Sequence, residues 1–237
     1  MKIEHLMRNR LTQILWSKIN SIYYKGDNVI CSLCGWKGIE FINRKCPNCN
    51  SLPRQRLIPV CINGFIPNKN KILHIAPNFC EYLYVKKNLK PDIYDRVDKV
   101  KTKYINILHD ITKKGMNEDY YDLIIIWHVF EHIVDDISAI HNLEKCLNKR
   151  GSLLVSVPIF PKGNQETYED ESIPISSYAD AHGHPDHYRS CGLDYWKRFL
   201  ENGYTRVDTF RVAELDEEEK GIYGLSDNHV AWLFHKN

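Results

Sequence analysis

The densest chemistry in the sequence is sulfur. Cys31-Ser-Leu-Cys34 and Cys46-Pro-Asn-Cys49 are two C-x-x-C pairs with eleven residues between them, flanked by Gly35, Gly38 and Pro47. Each pair can turn two thiolates toward one ion, and two such turns supply the closed tetrahedral sulfur set that zinc takes in structural sites. Four protein ligands leave no position for a substrate. The segment Trp36 to Ile42 suits a short hairpin too small to bury a core, so the metal is expected to supply most of the folding free energy, on the order of 10 kcal/mol. A redox C-x-x-C would not need a second copy at this spacing. A ribbon beside Arg44, Lys45, Arg54 and Arg56 could instead grip phosphates; the same cations could cap the next helix or bind an anionic substrate. Cys61, Cys80, Cys146 and Cys191 lack ligand spacing and read as buried thiols.

A second cluster is rich in imidazole. His128-Val-Phe-Glu-His132 satisfies the H-x-x-E-H pattern of a zinc peptidase. That assignment fails on position, because Leu123 to Ile126 is a buried-strand run and the five residues begin at its end, outside any single helix. Residues 159–190 form a long insertion holding Thr167, Tyr168, Glu169, Asp170, His182, His184, Asp186, His187 and Arg189. Long irregular segments in compact domains are either functional or disordered, and this composition predicts a lid. Its three histidines could bind a metal, although their spacing is tight for one. His187, with Asp186 or His132 nearby, fits a base for an acceptor hydroxyl, since imidazole titrates near working pH. The competing reading is that His187 only orders the lid.

These groups need elements to position them. Apolar residues Leu6, Leu11, Ile14, Leu15, Ile19 and Ile22 recur at three- and four-residue steps and predict an amphipathic helix over 4–22. Its stripe docks internally or pairs two subunits. Pro53 to Gly64 predicts a short helix broken or kinked by Pro59. From Lys71 the texture changes to short apolar runs, at Lys71–Ala76, Ile93–Val97, Tyr104–Leu108, Tyr121–Trp127 and Gly151–Val157. Asp135 and Asp136 start a helix that Lys149, Arg150 and Gly151 finish. A further helix is expected over Leu193–Asn202, then strands at Tyr204–Val212 and His229–His235, with Glu214–Glu219 a solvated loop or helix face. This alternation predicts an α/β fold with a doubly wound, largely parallel sheet, and ligands outside the carboxyl ends of its strands.

The strand ends carry His74-Ile-Ala-Pro-Asn-Phe-Cys80, Asp98, Asp110-Ile111 and His128. Taken singly, each Asp is most simply a turn or cap residue. In order and spacing, the chain from residue 71 onward resembles a class I S-adenosylmethionine-dependent methyltransferase, whose successive motifs match Lys71–Ala76, Arg96-Val-Asp98, Asp110-Ile-Thr112, Tyr121–His132 and Leu147–Pro158. The first 70 residues resemble a subgroup with an N-terminal zinc ribbon ending like Cys46-Pro-Asn-Cys49-Asn-Ser-Leu-Pro-Arg54; segments like Thr167–Asp170 and Gly183–Arg189 occur further on in that subgroup.

The resemblance implies a helix over 1–24, a zinc ribbon and linker helix over 25–68, and a Rossmann-like methyltransferase domain over 69–237 with the lid at 159–190. It implies S-adenosylmethionine held by His74, with its methionine part near Ala76, Asn78 and His128, its ribose on Asp98, and its adenine beside Asp110 and Ile111. Ala76, Asn78 and Cys80 stand where the family has glycines; a Cβ restricts the backbone there, so a different turn is expected. The expected reaction is methyl transfer to a small or sugar-containing acceptor at oxygen, in surface-glycan assembly. The alternatives are a noncatalytic ribbon module and an RNA methyltransferase.

Composition bounds these readings. With 32 Lys+Arg against 30 Asp+Glu in 237 residues, the charge is too balanced to make nucleic acid the default partner. No run is long and apolar enough to span a bilayer and no secretory signal pattern opens the chain, so a cytoplasmic, reducing setting is expected.

Overall fold

The computed structural model describes residues 10–65 and 70–236, and side chains from Ser17 onward apart from those of residues 64 and 65. Leu6 and the start of the predicted first helix lie outside the described residues, as does the end of the linker. The chain forms two compact units, one of residues 1–64 with 215–226, the other of 65–214 with 227–237.

In the first unit, helix α1 (Arg10–Tyr23) is followed by a small antiparallel pair, β1 (Lys25–Ile30) and β2 (Lys37–Gly38). Ile19 and Ile22, on the predicted apolar stripe, are exposed. The helix is tied to the ribbon by polar contacts instead: Ser17 Oγ donates to the Pro47 carbonyl at 2.6 Å, and Trp36 Nε1 to the Ser21 carbonyl at 2.9 Å. The Trp36 ring lies so close over Gly38 that a Cβ there would meet it at 1.9 Å, so glycine is required at that position. Helix α2 (Pro53–Phe65) runs on through Pro59. Arg56 projects from it, fully buried, and donates to the carbonyls of Ser51 (2.7 Å), Arg44 (3.1 Å), Tyr223 (2.6 Å) and Gly224 (2.7 Å). The acidic stretch contributes a helix, Glu217–Tyr223, capped by Asp216, which accepts from the Glu219 N–H.

The second unit is built on a seven-stranded sheet in the order β5-β4-β3-β6-β7-β9-β8. The strands are β3 (Lys71–Ile75), β4 (Ile93–Asp98), β5 (Ile107–Leu108), β6 (Tyr121–Trp127), β7 (Leu147–Ser156), β8 (Arg206–Arg211) and β9 (Val230–His235). The first five are mutually parallel; β9 is antiparallel to β7 and β8. All seven residues of β6 are buried, as its continuous apolar run requires of a strand covered on both faces. The chain moves outward from β3 through β4 to β5, then returns to add β6 on the other side of β3. The ends of β3 and β6 therefore flank the switch point, where open α/β sheets bind ligands.

Three elements are shorter than predicted. Strand β5 keeps only two residues, because the Asn106 side chain accepts the Arg96 N–H at 2.6 Å in place of a ladder carbonyl. Helix α4 (Asp136–Cys146), which follows α3 (Phe79–Tyr84), stops before Lys149 because Leu147 already pairs with Tyr121. Gly151 thus lies inside β7, where a Cβ would meet the Tyr121 carbonyl oxygen at 2.8 Å. After α5 (Tyr178–His182), the segment expected as a helix over Leu193–Asn202 is reduced to the single turn α6 (Lys197–Leu200); Asp194 Oδ1 instead accepts from the Thr167 N–H and hydroxyl.

Candidate active site

The end of β3 turns through Ala76, whose φ of +46° is left-handed. The turn thus uses a glycine-type backbone although Ala76 carries a Cβ. Its N–H donates to the Val97 carbonyl at 2.7 Å. Asn78 then starts α3, donating its backbone N–H to Glu81 Oε2 (2.9 Å) and its amide to Oε1 (3.2 Å). His74 does not reach the crevice edge. It is fully buried within β3, with Nδ1 3.1 Å from the Tyr94 hydroxyl and Nε2 3.6 Å from Glu81 Oε2. Burial raises the Tyr94 hydroxyl well above its ordinary range, so it stays protonated beside the imidazole.

The β4 and β5 ends bring two carboxylates onto adjacent loops. Asp98 Oδ1 accepts from the Val100 N–H at 3.1 Å, a turn role, and its other oxygen has no hydrogen-bond partner among the described residues. Asp110 Oδ1 accepts from the Thr112 N–H (3.0 Å) and hydroxyl (2.8 Å), while Oδ2 lies 3.1 Å from Lys99 Nζ. Partial desolvation works against ionisation of Asp110, but these donors outweigh it and hold the pKa at about 2. The Ile111 side chain is buried in the core, so only its backbone borders the loop.

At the β6 end, His128 is left-handed, φ +54°, and donates its N–H to the Ser156 carbonyl at 2.8 Å. Phe130–His132 is a single 3-10 turn, so the H-x-x-E-H residues do not share a helix face, which excludes the peptidase geometry. Glu131 is buried, with Oε1 3.5 Å from His128 Nδ1 and 3.8 Å from His132 Nε2. Burial opposes its charge, yet the neighbouring imidazoles hold its pKa below the usual carboxylate value. Sequence reasoning passed over Glu131 as a site residue, although the motif that names it was in view.

The insertion folds back on this turn. The Tyr188 N–H donates to the Glu131 carbonyl at 2.8 Å, and the buried Arg189 guanidinium donates to the carbonyls of Phe130, Ile133 and Val134 and to Glu169. Three of the predicted lid residues therefore meet His132. Its ring centroid is 4.7 Å from that of His187 and 6.0 Å from that of His184, and its Nδ1 donates to the Asp186 carbonyl at 3.0 Å. His182 is apart, buried with Nδ1 2.9 Å from Ser190 Oγ. The Asp186 carboxylate is exposed and sits 3.9 Å from His184 rather than on His187.

In the first unit the four cysteines converge. The Cys31 and Cys49 sulfurs are 3.6 Å apart, those of Cys34 and Cys46 are 3.7 Å apart, and all four lie within 4.8 Å of one another. A tetrahedron of sulfurs at ~2.3 Å from a zinc ion has edges of ~3.8 Å, so this donor set fits that ion. The distances are far beyond a disulfide bond. Hydrogen bonds from Cys34, Cys46 and Cys49 push the Cys31 thiol well below its ordinary pKa. Arg56, one of four cations that could have gripped phosphates, capped the next helix or bound an anionic substrate, is unavailable to a phosphate because four carbonyls occupy its guanidinium.

The fold and this site match known proteins. A family model described as a methyltransferase domain matches residues 55–207, more than half of the chain, and the chain belongs to that family. It is thus an enzyme of the methyltransferase class, built on the fold of the class I S-adenosylmethionine-dependent enzymes. No curated protein sequence matches it. Similar solved structures include one from Listeria monocytogenes described as an S-adenosylmethionine-dependent methyltransferase (14% identity, 77% of this chain and 98% of that chain covered, TM-score 0.51). Another is a SAM-dependent methyltransferase from Archaeoglobus fulgidus (15%, 77% and 94%, TM-score 0.53). A third is a phosphoethanolamine N-methyltransferase from Haemonchus contortus in complex with S-adenosylhomocysteine (12%, 76% and 52%, TM-score 0.50). Among the described residues no helix is long and apolar enough to cross a membrane.

Proposed function

We propose that this chain moves a methyl group from S-adenosylmethionine to an oxygen of a small or sugar-containing acceptor, with Cys31, Cys34, Cys46 and Cys49 holding a structural zinc ion. The observation that carries this reading is the pair of carboxylates, Asp98 and Asp110, at the ends of adjacent parallel strands, one step from the switch point. Bound S-adenosylmethionine supplies an already activated methyl group on a sulfonium centre. The residues then act by alignment, which can contribute several kcal/mol to the barrier reduction. Asp98 accepts from the ribose diol with the oxygen that Val100 leaves open, and Asp110, ionised at working pH, accepts from the adenine amine beside the Ile111 backbone. The left-handed turn at Ala76, with Asn78 after it, borders the methionine part, as does His128. His74 positions that turn from beneath through Glu81.

The acceptor end is formed by His132, His187 and Asp186. His187 donates Nδ1–H to the His182 carbonyl at 3.2 Å, which leaves the Nε2 lone pair for an acceptor hydroxyl. A saccharide acceptor, and with it a role in surface-glycan assembly, is supported by the resemblance of the ribbon and of the lid segment Gly183–Arg189 to ribbon-bearing methyltransferases. Calorimetry with S-adenosylhomocysteine tests the reading. Binding to the wild type that weakens at least tenfold in both Asp98→Ala and Asp110→Ala is the expected result; uptake unchanged by both substitutions overturns it.

A further inference from the structure

We infer that Glu131, His132 and His187 form a second metal site, for a divalent first-row transition cation, at the acceptor end of the crevice. One ligand atom from each of the three lies within 4.8 Å of the other two. Hydrogen bonds show which ring nitrogens are free to ligate. A carbonyl oxygen can only accept, so the His132 Nδ1 contact to the Asp186 carbonyl and the His187 Nδ1 contact to the His182 carbonyl place both ring hydrogens on Nδ1. Both Nε2 atoms then carry lone pairs, the arrangement in which outer-shell carbonyls orient metal-binding imidazoles. His132 Nε2 is 3.8 Å from Glu131 Oε1.

An independent observation points to a missing ligand. Glu131 is 1% exposed and its Oε2 has no hydrogen-bond partner. A buried carboxylate oxygen left unpaired is costly, and a cation beside it removes that cost. His184 is excluded from the ligand set, since its Nδ1 accepts the Asp186 N–H at 3.2 Å; it stands as a wall, its ring centroid 4.9 Å from that of His187. Arg189 does not oppose a cation, because Asp136 and Glu169 balance its charge at 3.6 and 3.1 Å.

Two imidazoles and one carboxylate suit a cation of the manganese-to-zinc series rather than calcium or magnesium. Three protein ligands leave coordination positions open, and His132 is 39% exposed on its side chain, so an acceptor oxygen can reach the ion. In the ion-loaded site the Nε2 lone pair of His187 is held as a ligand, so its role as a base belongs to the ion-free site; a hydroxyl on the ion is acidified and releases its proton to solvent water as its oxygen takes the methyl group and the thioether leaves. This role for the ion rests on the methyl-transfer reading; its binding does not.

Manganese is the discriminating probe, because it has little affinity for the thiolate cluster. The zinc-loaded full-length protein is titrated with Mn2+ and followed by electron paramagnetic resonance. One bound Mn2+ per chain, with pulsed spectra of the wild type reporting coordinated imidazole nitrogen, is expected. Affinity should fall at least tenfold in Glu131→Gln and in His187→Ala, each retaining its zinc. No uptake by the wild type at millimolar Mn2+, uptake without imidazole coupling, or equal uptake by both variants overturns the site. S-adenosylhomocysteine binding measured on the same samples separates the two proposals: nucleoside uptake without Mn2+ overturns the cation alone, and Mn2+ uptake without nucleoside supports the cation while overturning the methyl-transfer reading.

Discussion

Ala76 and His128 end neighbouring parallel strands at the switch point of the sheet, and both take the left-handed backbone, at φ +46° and +54°. A Cβ makes that conformation unfavourable by about 1–2 kcal/mol. Ala76→Gly relieves the strain while adding freedom to the unfolded chain, which costs about 0.4–1 kcal/mol. The expected net effect is between neutral and ~1.6 kcal/mol stabilising, read from urea unfolding. An ordinary loop or strand alanine would lose about 0.4–1 kcal/mol on the same change, so a clear loss of stability would show that the turn is not left-handed.

The ionisation of Asp110 should show in acid. Its pKa of about 2 reflects desolvation outweighed by the Thr112 N–H, the Thr112 hydroxyl and Lys99. A carboxylate depressed in the folded state contributes stability that is complete above its unfolded value near 4 and is lost as pH falls toward 2. Wild type and Asp110→Asn should therefore differ in melting temperature at pH 5 to 8 and converge between about pH 4 and pH 2. Parallel curves over that range would refute the assignment. Because Asp110 stays charged at pH 5 to 8, its contribution to nucleoside affinity should be flat there.

What the sequence made legible follows from where local pattern and tertiary demand agree. The run Leu123–Ile126 must be buried on both faces, so its strand and the place of His128 at that strand's end were readable, as was the convergence of the four cysteines from spacing alone. Failures arose where one side chain replaced a backbone partner: Asn106 shortens β5 by taking the Arg96 N–H, and Asp194 holds Thr167 where a helix was expected. The Glu131 cluster was hidden for another reason. Its third member comes from residue 187, which is brought to residues 131 and 132 by the Arg189 guanidinium, the Tyr188 N–H and the Asp186 carbonyl, all bonding to the turn after β6. The role of Arg56 stayed open because a cation beside a ribbon looks the same in sequence whether it faces phosphate or four carbonyls.

Arg56 yields a test of the first unit. Arg56→Met keeps much of the buried volume but removes the donors to four carbonyls, and each buried group left unpaired costs about 1–3 kcal/mol. A loss of at least ~3 kcal/mol in unfolding free energy is expected, with faster release of zinc to a chelator. Lys45→Met, at an exposed position, should change zinc release little. Equal release rates in wild type and Arg56→Met would mean that the guanidinium does not brace the ribbon.

Arg189 should act on the acceptor end and leave the nucleoside end alone. Its buried fork joins the 159–190 segment to the carbonyls of Phe130, Ile133 and Val134, and the same segment carries His187 to His132. A lysine offers a point charge in place of that fork, so Arg189→Lys cannot reproduce three carbonyl contacts together with Glu169. Breaking such a buried network typically costs about 2–4 kcal/mol. The variant is expected to expose residues 159–190 to limited proteolysis at protein concentrations where the wild type resists. Its affinity for S-adenosylhomocysteine should stay within about twofold of wild type, since Asp98 and Asp110 lie on loops that Arg189 does not touch. Loss of nucleoside binding in a variant that still melts cooperatively would show instead that the lid and the strand-end carboxylates form one coupled site.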